Sequence, residues 1–168
     1  MKSIGALLVA GVLASAALAS SSASSRTVPC DEVILATKWP YVGSRNPAHR
    51  YRTVLDAVSV PPAYMQQVEG PEPGAWPYWR KSGLVVKAGA GPVTVSVAPS
   101  ARGRAAIEWG NAGHGPFNSI RLARCANGSG GHAYAGGFSL RSPSACVPLT
   151  FRVGSRSETV RFGVGRRC

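Results

Sequence analysis

After residue 19 the sequence has no run of apolar residues at the 3.6-residue spacing of an amphipathic helix. It has no C-x-x-C pair: Cys30, Cys125, Cys146 and Cys168 stand far apart. Structural zinc sites draw on close ligand pairs, so this spacing speaks against a metal, and the even count reads as two disulfides. The G-x-S-x-G elbow of serine hydrolases is missing. Its nearest approach, Asn127-Gly128-Ser129-Gly130-Gly131, has the glycines misplaced. Glycine-rich phosphate-binding motifs are missing too, and no cofactor is expected. Acidic side chains are scarce, 7 against 19 Lys and Arg, for a formal charge of +12. A glycosidase needs two carboxylates facing across a cleft, and no spacing pairs any two of Asp31, Glu32, Asp56, Glu69, Glu72, Glu108 and Glu158.

Histidines number three: His49, His114 and His132. His114 in NAGHGPF and His132 in GSGGHAY read as loop residues. A catalytic histidine needs an orienting partner, and the sequence places none beside them.

What is present begins with a leader. Met1-Lys2 is a short positive start, Ile4 to Ala19 is almost wholly apolar or small, and Ala17-Leu18-Ala19 is an A-x-A site. This is the pattern of a secretory signal peptide over residues 1–19. The run is too short and too rich in Ala and Gly for a comfortable membrane span, which takes about 20 strongly apolar residues. The other reading is an uncleaved anchor. Thr27-Val28-Pro29 before Cys30 does not fit lipidation. Cleavage after Ala19 gives a secreted chain with no transmembrane segment, a Ser-rich disordered lead-in over 20–29 and a single domain over 30–168.

The basic excess stays in that mature chain. It suits attraction to an anionic polymer such as a cell-wall glycan. The arginines are scattered, which argues against a specific nucleic-acid site, and a coding bias toward Arg, Ala, Gly and Pro explains the excess more simply than a dedicated polyanion site.

Short Val/Ile/Phe-rich runs separated by Gly, Pro, Ser and Asn predict an all-β fold: a two-sheet antiparallel sandwich, Ig-like or jelly-roll-like, of seven or eight strands. Expected strands are 52–60, 84–87, 93–98, 104–109, 118–125 and 136–141. Residues 126–131 read as a loop, and 63–68 as a short helix. A C-terminal hairpin follows, with Val147, Leu149, Phe151 and Val153 sharing a face with Val160, Phe162 and Val164. The pieces GGF (136–138), PSACVPL (143–149) and FGVGRRC (162–168) resemble the C-terminal half of small secreted β-rich proteins of actinobacteria, which are uncharacterised in function. That resemblance implies export and a β fold, and no mechanism.

Trp-Pro-Tyr occurs twice, at Trp39-Pro40-Tyr41 and at Trp76-Pro77-Tyr78, the second followed by Trp79-Arg80-Lys81. Aromatic faces stack on sugar rings and neighbouring cations hold acidic groups. Trp39, Tyr41, Trp76, Tyr78, Trp79, Arg80 and Lys81 are therefore the candidate ligand-binding residues. The competing reading packs these rings against the end of the sandwich. The disulfide pairing expected from a domain whose ends lie together is Cys30–Cys168 with Cys125–Cys146. The rival is Cys146–Cys168, across one end of the hairpin, with Cys30–Cys125. The function expected is an exported, non-enzymatic binding or structural module contacting cell-envelope glycans or anionic polymers. The alternative is a small secreted hydrolase whose site the sequence does not display.

Overall fold

The computed structural model describes residues 25–111, 115–126 and 128–168. The expected signal peptide, residues 20–24 of the lead-in and His114 lie outside them. Among the described residues the chain is all-β, with three single-turn 3-10 segments and no α-helix. None of its helical segments is long and apolar enough to cross a membrane.

The strands are β1 (Ser25–Val28), β2 (Leu35–Thr37), β3 (Arg52–Val54), β4 (Val58–Val60), β5 (Tyr64–Met65), β6 (Tyr78–Lys81) and β7 (Leu84–Lys87). They continue as β8 (Val93–Val97), β9 (Ala105–Trp109), β10 (Ser119–Leu122), β11 (Gly131–Tyr134), β12 (Gly136–Leu140), β13 (Ala145–Val153) and β14 (Arg156–Val164). Fourteen strands replace the seven or eight expected, and they form three sheets rather than two. The sheets run β1-β10-β8-β13-β14-β5, β2-β11-β7-β4-β3 and β6-β12-β9.

Alternation builds the largest sheet. β8 buries Val93, Val95 and Val97 and turns Thr94 and Ser96 outward. In β13 and β14, Val147 faces Phe162 and Leu149 faces Val160 in the antiparallel register, so the hairpin forms with the faces its sequence dictates. Its turn is only Gly154-Ser155, because Arg156 and Ser157 already belong to β14. One core unites the three sheets. Within it Trp109 packs edge-on to Phe138, with centroids 5.6 Å apart, Phe138 lies 5.5 Å from Phe162, and Phe162 lies 6.5 Å from Phe151. This aromatic line ties β9 and β12 to β13 and β14.

Four local expectations are corrected. The run 52–60 is a tight hairpin, β3 to β4, not one strand; Leu55 and Asp56 turn the chain in the left-handed region, with φ of 54° and 48°. Residues 63–68 are not helical: Tyr64 and Met65 pair in parallel with Gly163 and Val164. His132 lies in β11, between Ala36 and Val86, rather than in a loop. Ser25–Val28, expected to be disordered, pairs in parallel with β10 because Val28 enters the core fully buried.

The bridges are Cys30–Cys125 and Cys146–Cys168, not Cys30–Cys168 and Cys125–Cys146. The parallel pairing of β1 with β10 sets Val28 opposite Leu122, so the residues just beyond both strands emerge at the same end. Cys30 and Cys125 meet there, Cα atoms 5.7 Å apart. Cys146 faces Gly163 across the hairpin. The segment after β14 folds back over that glycine, where any Cβ would overlap the Arg166 carbonyl and crowd the backbone of Arg167 and Cys168. Cys168 thereby reaches Cys146.

Candidate functional site

Chain segments from four parts of the sequence converge on a groove beside β5. The 3-10 turn Pro47–His49 leads into Arg50, Tyr51 and Arg52. Pro61 and Pro62 end β4 and deliver Tyr64 and Met65. Arg80 and Lys81 close β6. Arg167 arrives on the segment pinned by Cys146–Cys168. Three hollows of about 590, 450 and 280 Å³ adjoin one another, with Pro62 bordering all of them.

Positive charge dominates the lining. Arg50, Arg52, Arg80, Lys81 and Arg167 border the hollows together with His49, and among the described residues no carboxylate does. The Arg167 guanidinium lies over the Tyr64 ring, 4.9 Å from its centroid, a stacking geometry that fixes the cation while leaving its donors free. Arg80 is half-buried, and its Nε has no hydrogen-bond partner among the described residues. That Nε is itself shielded from the groove, so a ligand there meets only the terminal guanidinium nitrogens of Arg80. The Tyr51 hydroxyl donates to the Gly83 carbonyl at 3.2 Å. Burial pushes the Tyr51 phenol above its ordinary value, partly offset by hydrogen bonding to Ser82 and Gly83. Tyr51 therefore stays a neutral wall of the groove.

The sequence-derived candidates divide. Arg80 and Lys81 line the groove. Tyr41 stands behind it, edge-on to Tyr51 with centroids 4.9 Å apart. The other four lie elsewhere. Trp39 packs near the Lys87 ammonium, 5.9 Å away, and Trp76 under the Arg141 guanidinium, 5.1 Å away. Trp79 pairs its backbone with Glu69, and Tyr78 packs against the core. All five aromatic candidates are half-buried. No ring-to-ring contact joins the two Trp-Pro-Tyr segments among the described residues. Sequence reasoning missed Arg50, Tyr51, Arg52, Tyr64 and Arg167. The signal for the first three was the interleaving of base and ring in His49-Arg50-Tyr51-Arg52.

No family model, curated protein or solved structure matches this chain.

His132 is buried, with Nε2 3.2 Å from the Cys125 carbonyl. That contact ties β11 to the residue that carries the first disulfide, a structural use of the imidazole.

Proposed function

We propose that the protein is an exported binding module that holds the anionic groups of cell-envelope polymers in the groove between Tyr51, Tyr64, Arg80 and Arg167. The observation that carries this reading is a lining of cations and aromatic rings with no carboxylate among the described residues. Guanidinium groups present paired donors that match carboxylate and phosphate oxygens. Tyr64, already under Arg167, offers an apolar face to a sugar ring. The leader-like N-terminus and the two disulfides support export. The single core shared by three sheets supports a sandwich-like layering with the six-stranded sheet as one layer.

A panel of short neutral and acidic oligosaccharides tests the groove by calorimetry across a salt series. Acidic oligomers should bind and neutral ones should not. Hydrogen bonds to charged groups contribute about 1.5–3 kcal/mol each, so Arg80→Gln with Arg167→Gln should weaken binding at least about tenfold per side chain. Unchanged affinity in the double variant defeats the reading.

A further inference from the structure

The six-stranded sheet has an outer face of which the groove takes only the β14–β5 end, where Tyr64 pairs with Gly163 and the segment bearing Arg167 lies over that glycine. Along β10, β8, β13 and β14 the inward positions over the core are apolar and buried, with Arg156 and Glu158 exposed at the turn end of β14, while the outward ones are mostly hydroxyls and arginines, with Cys146, Pro148 and Gly163 toward β5. Register arranges these in rows. Arg121 faces Thr94, Thr94 faces Arg152, and Arg152 faces Ser157. In the next row Ser119 faces Ser96, Ser96 faces Thr150, and Thr150 faces Thr159. Arg161 follows, opposite Pro148. Among the described residues no acidic side chain occupies an outward position on these four strands. The ion pairs Arg26–Glu32 and Lys87–Asp56 lie elsewhere. The face is therefore a cationic surface with no internal counter-charge.

The hydroxyls are held in place. Ser96 and Ser119 share a hydrogen bond of 2.8 Å, and Thr150 and Thr159 share one of 2.9 Å. Each hydroxyl carries one donor and two acceptor sites, so each pair keeps one donor and several acceptors for a ligand. Arg102, anchored by its Nε to the Val97 carbonyl at 3.1 Å, joins Thr94, Thr150 and Arg152 around a shallow hollow of about 320 Å³.

We infer that this face is a second binding surface, for an extended acidic polysaccharide. Charge selects a polyanion. Arg121 and Arg152 stand two strand spacings apart, about 9–10 Å, a separation that lets both reach carboxylates on one extended chain. The Thr and Ser rows between them meet sugar hydroxyls. Single-stranded nucleic acid is served by stacking platforms; the outward positions of these four strands carry no aromatic ring, and Tyr64 on the neighbouring β5 is covered by Arg167. A lipid surface is served by apolar anchors, and they carry none of those either.

Fluorescein-labelled polygalacturonate, added to the full chain and followed by anisotropy, tests the inference. The face variant is Arg121→Ser, Arg152→Ser, Arg161→Ser. The control, Arg45→Ser, Arg104→Ser, Arg124→Ser, removes the same charge from exposed sites off the face. The face variant should bind at least tenfold more weakly, with a salt slope shallower by about one unit per lost arginine, by analogy with phosphate contacts. The control should change less than threefold. Thr94→Val, which keeps the shape and removes a hydroxyl, should weaken polygalacturonate binding severalfold. Equal losses in face and control variants would reduce the effect to net charge and overturn the inference, as would no loss in either. Tighter binding to duplex DNA, single-stranded DNA or phosphatidylglycerol vesicles than to polygalacturonate overturns it as well. The groove variant Arg80→Gln, Arg167→Gln should lose short acidic oligomers yet keep much of its polymer affinity, so either site can fail while the other stands.

Discussion

Gly163 decides where the C-terminal segment runs. Its Cα has no side chain, so the Arg166 carbonyl and the backbone of Arg167 and Cys168 rest directly on β14. From there Arg167 stacks on Tyr64. A methyl at this site has no room, because the atoms it would strike are backbone atoms held from the other side by Cys146–Cys168. Gly163→Ala should destabilise the protein by about 1–3 kcal/mol, the range for overpacking. It should also weaken acidic-oligosaccharide binding, since Arg167 loses its seat. Urea unfolding and calorimetry on the same sample check both effects; a variant with unaltered stability and affinity would contradict this account of the tail.

Among the elements, the long hairpin and β8 were legible in the sequence because both alternate without interruption and carry large apolar residues on one side only. The β3–β4 hairpin was not, because Leu55-Asp56 turns the chain without the Asn-Gly or Asp-Gly signal that marks such turns. β1 was hidden by the Ser-rich run that leads into it: only Val28 reveals that Ser25–Val28 enters the core. β1 then sets the disulfides, since a parallel partner for β10 brings Cys30 to Cys125. The two bridges close loops of very different length, with sequence separations of 95 and 22. On chain-entropy grounds they contribute roughly 4–5 and roughly 3 kcal/mol. Replacing Cys30 and Cys125 by serine should lower the unfolding midpoint more than replacing Cys146 and Cys168. The reverse order would show that the short bridge acts through native contacts rather than through loop closure.

At the scale of the whole molecule, the fold rests on one core reached by three sheets, and the site on segments that only the fold brings together. Arg80 and Lys81 could be singled out because a tryptophan repeat drew attention to them. Tyr64 and Arg167 could not, being about a hundred residues apart in sequence and joined by the pairing of β5 with β14. Phe138 is the link on which the sheets depend most, in contact with Trp109 on one side and Phe162 on the other. Phe138→Ala should cost about 3–5 kcal/mol, read as a single cooperative transition by circular dichroism and by tryptophan fluorescence. Two separate transitions would mean that the three-stranded sheet folds apart from the rest.

The bridge that holds Arg167 in place also sets when the groove can exist. A thiol pair in a reducing compartment stays open, and the tail bearing Arg167 then keeps only its non-covalent hold, from the Gly165 amide to the Met65 carbonyl and from Arg167 to Tyr64. Such a chain could bury its valines and phenylalanines and still lack one wall of the groove, whose shape would be completed last, with oxidation.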